Sequence, residues 1–311
     1  MAVLSVLSAN YAEVYVLKTS DRKAGVIRLF SQFGLEEYAK KRVALKANFN
    51  SADPFPASTH PDTLKAIIEV LKNLNVTSIT LAERSGMGDT REVLEQTGVF
   101  ELSEKLDFKA VATDDLDKDD WVRIARRGTH WLRGFYIPKL FLDADKIVQT
   151  CCLKTHRFGG HFTLSLKNSV GLVAKKVPGS VYDYMWELHS SPFQRQMIAE
   201  INKFYRVDLV IMDGIRAFVS EGPERGEVVE PNLLLASEDR VAIDAVGGAL
   251  LRIYGAKGKV SEGRIFELDQ IHRAAELGIG VKSASEIRLT PLNEESHEMV
   301  KKISDVLEAE G

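Results

Sequence analysis

Basic and polar side chains that could bind or transform a small molecule are concentrated between Leu153 and Asn168. The members of this group are Lys154, Thr155, His156, Arg157, His161, Lys167 and Asn168. Ammonium, guanidinium and imidazole groups donate strong hydrogen bonds to phosphate and carboxylate oxygens. Gly159-Gly160 would let the backbone approach a ligand closely, and a helix beginning near Thr163 would add free N–H groups. The segment therefore predicts an anion site, and the alternative is a solvated basic loop.

The two histidines of this segment offer a second chemistry, because imidazole nitrogen is a common ligand of metals. His156 and His161 would need further ligands, and Asp213 and Glu83 could supply them if their strands are neighbours. The spacing of the histidines matches no zinc-binding pattern, so hydrogen bonding is the competing interpretation. A divalent metal of open identity is therefore a candidate cofactor.

Strand patterns and helix patterns alternate along the chain, and these elements must position the polar residues. Apolar residues recur at helical spacing in residues 62–74, whereas residues 207–212 form an apolar run typical of a buried strand. This alternation predicts an α/β fold with a layered, largely parallel sheet flanked by helices. We expect one α/β unit over residues 1–311, which could divide into lobes 1–140 and 141–311 with a cleft between them.

Polar side chains follow several of the predicted strands, which are residues 42–47, 76–82, 144–152, 207–212 and 233–236. Right-handed crossovers would place all of these carboxyl ends along one edge of the sheet, where open α/β sheets bind ligands. The polar residues near these ends are Lys46, Asn48, Glu83, Lys154, His156, Asp213, Ser237 and Asp239. Asp213 follows an apolar run, so its partly desolvated carboxylate could act as a base or cap the next helix.

Two further segments carry local patterns with a structural meaning. Acidic residues at 113–120 precede residues 121–127, which predicts a helix start because carboxylates favour the positive end of a helix. The run Ser85-Gly86-Met87-Gly88-Asp89-Thr90 supplies two of the three glycines of a dinucleotide fingerprint, and Arg91 occupies the third position. We therefore expect a tight turn with some phosphate-binding capacity there rather than a dinucleotide site.

Composition restricts the compartment and the partners. The net charge is −3, so a nucleic-acid partner is not expected and any electropositive site must be local. Cys151 and Cys152 are the only cysteines, too few for a four-thiolate iron–sulfur cluster and badly placed for a disulfide. This usage predicts a reducing, cytoplasmic location. No stretch approaches about eighteen uncharged apolar residues, and no basic lead-in opens the chain, so neither a membrane span nor a signal peptide is expected.

The sequence resembles the family known as domain of unknown function 362 over residues 13–280. Its most specific motifs are Leu153-Lys154-Thr155-His156 and Leu164-Ser165-Leu166-Lys167-Asn168 with Gly171. Further pieces are Lys46-Ala47-Asn48, Thr59-His60-Pro61, Asp213-Gly214, Gly222-Pro223 with Gly226, and Ser237-Glu238-Asp239 with Asp244. Ala47 stands where the family typically has proline, and Glu83-Arg84 where a Gly-Asp pair is common. The resemblance adds His60 to the candidate substrate-binding residues.

Some members of that family carry an appended ferredoxin-like segment with cysteine clusters, which this chain lacks. The resemblance therefore implies that any electron transfer needs a separate iron–sulfur partner. More remotely, the order of a histidine-containing helix start, a glycine-containing turn and a Lys-x-His segment resembles the nickel-dependent lactate racemase superfamily. That likeness implies two lobes with a ligand between them and histidine acid–base chemistry on a small hydroxy acid or similar anion. It does not extend to a nickel cofactor.

Two functions fit these residues. The first is an enzyme acting on a small phosphate- or carboxylate-bearing molecule, with catalytic His156, His161 and Asp213. Its substrate-binding residues would be Lys46, Asn48, His60, Lys154, Thr155, Arg157, Lys167 and Asn168. The second is a non-catalytic ligand- or metal-binding accessory protein that works with an iron–sulfur redox partner. The enzyme is favoured because a pure binding site needs no carboxylate such as Asp213 in the same cleft; the oligomeric state stays open.

Overall fold

A computed structural model describes residues 11–158 and 161–311 of the chain. Gly159-Gly160 lies outside these ranges, so the close backbone approach expected there stays a prediction. The strands are β1 (Ala12–Lys18), β2 (Arg42–Lys46), β3 (Ser78–Glu83), β4 (Lys109–Ala112), β5 (Trp121–Ile124), β6 (Phe135–Pro138), β7 (Lys146–His156), β8 (His161–Thr163), β9 (Leu209–Phe218), β10 (Val228–Val229), β11 (Leu233–Ser237) and β12 (Ile287–Pro291).

Helices connect most of these strands and cover both faces of the main sheet. They are α1 (Arg22–Phe30), α2 (Pro61–Asn73), α3 (Thr90–Gln96), α4 (Val99–Leu106), α5 (Lys139–Leu142), α6 (Ser165–Asn168), α7 (Tyr184–Ser190), α8 (Gln194–Ile201), α9 (Arg240–Ile253), α10 (Asp269–Glu276) and α11 (His297–Glu310). None of the helices in the described ranges combines the length and the hydrophobicity that a bilayer crossing needs.

One mixed sheet runs through the described chain in the order β12-β1-β11-β9-β7-β2-β3-β4, with β8 paired to β7 and β10 to β9. The run from β9 through β7, β2 and β3 to β4 is parallel throughout. The predicted α/β fold with a largely parallel sheet flanked by helices is therefore confirmed. Strands from both sides of residue 140 share this sheet, and the division into two lobes stays a prediction.

Strand β9 shows why the central strands are apolar on both faces. Leu209 and Ile211 pack with the layer of α1 and α2, while Val210 and Met212 pack with the layer of α9. Side chains alternate between the faces of a strand, and helices cover both faces of this sheet, so every position of the run is buried. Full burial of each such side chain stabilises the fold by roughly 1.5–3 kcal/mol.

The helix expected at residues 121–127 is wrong. Trp121 to Ile124 form β5, which pairs in antiparallel fashion with β6 so that Val122 lies opposite Ile137. The indole of Trp121 is buried there, and burial of aromatic and β-branched side chains on a strand outweighs the charge pattern. The acidic residues before it form two short 3₁₀ turns at Thr113–Asp115 and Lys118–Asp120.

The expectation that all strand carboxyl ends share one edge is wrong for β11. This strand returns directly beside β9 without a crossover helix, so it is antiparallel to β9. Its carboxyl end, with Ser237 and Asp239, therefore lies at the opposite edge of the sheet. The Asp239 carboxylate there accepts the N–H groups of Val241 and Ala242 at 2.8 and 2.9 Å and caps α9.

Candidate functional site

A cleft of about 330 Å³ lies at the carboxyl ends of the neighbouring strands β3, β2 and β7. Because these strands are parallel and adjacent, residues far apart in sequence meet there. Of the residues expected from the sequence, the cleft brings together Lys46, Asn48, Glu83, Lys154, His156, Lys167 and Asn168. The first three come from the ends of β2 and β3, and the others from β7 and α6.

A buried ion pair forms part of the wall of the cleft. Lys46 Nζ lies 2.7 and 2.8 Å from the two carboxylate oxygens of Glu83, and both side chains are about 1% exposed. The carboxylate also accepts the backbone N–H groups of Phe49 and Arg84 at 3.1 and 3.0 Å. Burial lowers the pKa of Lys46 and raises that of Glu83, while their mutual attraction opposes both shifts.

Gly171 is required beside this pair by close packing. A Cβ atom at this position would lie 2.4 Å from Glu83 Oε1 and 2.8 Å from Lys46 Nζ. Lys46 Nζ also donates to Asn168 Oδ1 at 3.0 Å, and the Asn168 amide donates to the carbonyl of Thr150 at 3.0 Å. The ammonium of Lys46 is therefore fully engaged within the protein.

Lys154 is a buried cation with neutral partners. Its Nζ donates to Asn48 Oδ1 at 2.7 Å and to the carbonyl of Ala57. Burial lowers the pKa of Lys154, since charge is costly away from water. Arg84 is similar, because its guanidinium donates to the carbonyls of Val170 and Val173 at 2.7 and 2.8 Å. Within the described chain neither cation forms an ion pair with a carboxylate.

Lys167 is the cation of the cleft that has no protein partner among the described residues. It lines the cleft from α6. Burial and the positive charges of Arg195, Lys154 and Arg84 hold the pKa of Lys167 well below its usual range. An anionic ligand would stabilise the charged form of such an amine, because it would supply the hydrogen bonds and the negative charge that the described protein residues do not provide.

Asp244 positions this lysine from the far side of α6. Its carboxylate accepts the N–H groups of Ser165 and Leu166 at 2.8 and 3.0 Å. The expectation of free N–H groups near Thr163 is therefore wrong, because the helix starts at Ser165 and its first donors are occupied. Asp244 belongs to the family motif noted above, and a carboxylate inside the otherwise apolar α9 is the sequence signal for this role.

His156 places an imidazole in the same cleft. Its Nδ1 lies 3.3 Å from the carbonyl oxygen of Phe158, and since a carbonyl only accepts, Nδ1 is the protonated nitrogen. Burial, together with the charges of Lys167 and Arg195, lowers the pKa of His156 strongly. The ring is therefore neutral near pH 7, and its Nε2 keeps a lone pair that can accept a proton.

Arg195 and His161 lie behind the hairpin formed by β7 and β8. Arg195 donates to the carbonyl of Phe158 at 2.5 Å, and burial lowers its pKa to about 10. His161 lies opposite His156 in the strand register but does not line the cleft. Burial and the charge of Arg195 lower the pKa of His161 to about 4. The sequence held no signal for Arg195, which comes from the distant helix α8.

Comparison with known proteins places this architecture in a family. The family described as Domain of unknown function (DUF362) matches residues 43–249 of the chain. The chain belongs to the DUF362 family. The matched range includes every cleft residue described so far, and the family predicted from the sequence motifs is confirmed.

Two individual proteins are similar to this DUF362 chain. The thylakoid-associated protein sll1697 of Synechocystis sp. is 26% identical over 205 residues, which cover 63% of this chain and 57% of that relative. This chain thus spans little more than half the length of that relative. The lactate racemase apoprotein from Thermoanaerobacterium thermosaccharolyticum has a TM-score of 0.44 and 17% identity, covering 74% of this chain and 55% of that structure.

Asp213 lies outside the cleft in this DUF362 protein. Strand β9 continues to Phe218, so Asp213 is an interior strand residue rather than the residue after a strand end. Its carboxylate accepts hydrogen bonds from Arg22 Nε at 2.8 Å and from the Thr63 hydroxyl at 2.5 Å. These partners belong to α1 and α2, so the carboxylate faces the helical layer that they form.

The remaining candidate substrate-binding residues are also placed elsewhere. His60 caps α2, where its Nδ1 accepts the N–H of Asp62 at 3.1 Å, and burial with the charge of Arg22 lowers its pKa. The Thr155 hydroxyl donates to the carbonyl of Phe218 at 3.3 Å. Arg157 forms an ion pair with Glu224. None of these three side chains lines the cleft.

The four candidate metal ligands do not converge. His156 and Glu83 line the cleft, whereas His161 and Asp213 do not. Glu83 is occupied by an ammonium and two backbone N–H groups. Among the described residues no three histidine, cysteine or acidic side chains come together as a ligand group. The donor set of the cleft therefore does not fit a divalent metal, and metal binding stays a prediction from sequence alone.

Proposed function

We propose that this protein acts by binding a small phosphate- or carboxylate-bearing molecule in the cleft, with Lys167 as its main electrostatic contact. One observation carries the proposal. Lys154, Lys167 and Arg84 line one cleft, and the charge of Arg195 acts on Lys167 from behind the β7–β8 hairpin. None of these four cations is ion-paired with a carboxylate in the described ranges, although the whole chain has a net charge of −3. The surplus of positive charge is therefore local.

Lys46 and Lys167 lie in the same cleft but differ in how their charge is compensated. A buried cation is stable only when it is paired and hydrogen-bonded, and Lys46 meets this condition through Glu83. Lys167 is only partly exposed and has no such partner within the described chain. An anion that enters the cleft would pair with Lys167 in the way that Glu83 pairs with Lys46. Each charge-assisted hydrogen bond then contributes roughly 1.5–3 kcal/mol.

Titration calorimetry with inorganic phosphate tests this proposal. We expect Lys167→Met to weaken binding by at least about tenfold, the lower end of the loss of one charge-assisted hydrogen bond. Lys301→Met is the matched control, because Lys301 is an exposed residue on α11 and the change in net charge is the same. Equal affinity of the two variants for phosphate would overturn the proposal.

A second candidate function, proton transfer to or from the bound anion, is favoured by His156. The neutral imidazole with an accepting Nε2 lies in the same cleft as Lys167, and the charge of a bound anion would raise its lowered pKa toward the range that suits a general base. The sequence favoured an enzyme over a binding protein because Asp213 was expected in the cleft. Asp213 faces away from the cleft, so the proposal of catalysis now depends on His156. The accessory function with an iron–sulfur partner and the cytoplasmic location stay predictions.

The two functions differ in what His156→Gln does. Native mass spectrometry of the purified protein, compared with its denatured mass, would first identify a ligand retained in the cleft. With that ligand as substrate, an enzyme should lose turnover in His156→Gln while keeping affinity within about threefold. A binding protein should form no product with either chain, which would reject proton transfer and leave anion binding in place.

A further inference from the structure

Large apolar side chains stand in solvent at the mouth of the cleft. Trp186 is 70% exposed, Phe158 is 53% exposed and Met87 is 41% exposed, and all three line the cleft above its cations. Exposed apolar groups of this size that gather at one concave site are typical of ligand contacts. The cleft therefore combines a cationic interior with an apolar, partly aromatic rim.

The rim is assembled from three separate parts of the chain. Met87 follows β3, Phe158 follows β7, and Trp186 is on α7. The Phe158 ring is held by the Arg157 guanidinium, which lies 4.6 Å from its centroid. The first turn of α7 is fixed by Asp183, which accepts the backbone N–H of Trp186 at 2.8 Å. Among the described residues no other aromatic ring stacks on Trp186, so one face is available to a ligand.

The positive charge inside the cleft indicates which kind of anion would bind below the apolar rim. Lys154, Lys167 and Arg84 in the cleft and Arg195 behind it contribute positive charge without ion-paired carboxylates in the described chain, and a single carboxylate would offset only one of them. A phosphate monoester carries about −1.5 to −2 near neutral pH and offers three acceptor oxygens. The volume of about 330 Å³ lies at the lower end for small-molecule sites, so it suits one ring with one phosphate.

We infer that the ligand is a phosphate monoester of a planar aromatic group, with the phosphate at Lys167 and the ring between Trp186 and Phe158. This inference rests on the anion binding proposed above. Aromatic rings gain from stacking beyond the burial of their area, so the rim would distinguish a flat aromatic ring from a saturated ring of similar size. The cations would bind the phosphate of both.

Phenyl phosphate and cyclohexyl phosphate form a matched pair of probes, because they share the charge and nearly the size and differ in aromaticity. By titration calorimetry the natural chain should bind phenyl phosphate about three- to tenfold more tightly. Trp186→Leu should reduce the preference for phenyl phosphate over cyclohexyl phosphate, because it leaves only Phe158 to stack on the ring. Tyr11→Leu, which removes an exposed aromatic ring far from the cleft, should keep the difference.

The outcomes separate this inference from the proposed function. If the two esters bind equally, or if Trp186→Leu keeps the preference, the aromatic ring is rejected while anion binding remains. If neither ester nor inorganic phosphate binds, or if Lys167→Met binds all of them like the natural chain, the proposed anion site fails and the inference fails with it.

Discussion

Lys46 and Glu83 form an ion pair that is almost completely removed from solvent, with the ammonium within 2.8 Å of both carboxylate oxygens. The pair joins β2 to β3 at the edge where the cleft opens. Its carboxylate also fixes the backbone of Phe49 and Arg84. Lys46 is thus part of the scaffold, and the charge that we propose for ligand binding is that of Lys167 and its cationic neighbours.

The first prediction follows from this pair. Glu83→Gln should lower the free energy of unfolding by about 3–5 kcal/mol, because it leaves a buried ammonium without its counter-charge. Denaturant unfolding measures the change. Asp115→Asn is the control, since it removes one partner of the exposed ion pair with Arg91 and should cost less than about 1 kcal/mol. Equal losses in the two variants would contradict a structural role for Glu83.

A second prediction concerns Asp244, which holds Lys167 in place through α6. Asp244→Asn should weaken phosphate binding by roughly tenfold, because the two carboxyl oxygens accept the N–H groups of Ser165 and Leu166, whereas an amide has only one accepting oxygen. The effect should vanish in the Lys167→Met background, which a double-mutant cycle would show.

Asp239→Asn is the matched control for Asp244. Asp239 caps α9, the helix that carries Asp244, but lies at the opposite edge of the sheet, so its loss should lower stability and leave phosphate affinity unchanged. A similar loss of affinity in both variants would mean that Asp244 acts through general stability instead of through Lys167.

The sequence predicted the part of the site that depends on parallel strand ends. Lys46, Glu83 and Lys154 meet because β3, β2 and β7 are neighbours. The sequence indicated these residues because each stands at or near the end of an apolar run. Asp213 differs, although β7 and β9 both continue beyond their predicted ends, because its carboxylate faces α1 and pairs with Arg22. That partner lies 191 residues away in sequence, and no local pattern reveals it. Arg195 was missed for the same reason, since only the tertiary fold brings this residue of α8 near Lys167.

A third prediction is that anion binding takes up protons. In the free protein, burial and neighbouring cations lower the pKa of Lys167, whereas a bound anion favours the charged amine and raises that pKa. The complex therefore binds more protons, and affinity should fall as pH rises through the interval between the two pKa values. Sulfate is a suitable probe, because it does not itself titrate near neutral pH.

Calorimetry in buffers that differ in ionisation enthalpy would measure this proton uptake. Lys167→Met should abolish most of it, and His156→Gln would reveal the share taken by His156, whose pKa is also lowered in the free protein. Binding of sulfate without net proton uptake would show that Lys167 is already fully charged in the free protein.

The last prediction concerns acid stability and His161. Burial lowers the pKa of His161 from 6.5 to about 4, so between these values the unfolded chain binds a proton that the folded chain does not. The free energy of unfolding should therefore fall as pH drops from about 6.5 to 4, by up to roughly 3 kcal/mol from this residue. His156 acts in the same direction.

Denaturant unfolding at several pH values should show that the free energy of unfolding falls less in acid for His161→Gln than for the control His297→Gln, because His297 is exposed. Parallel pH profiles in both variants would show that the pKa of His161 does not change on folding.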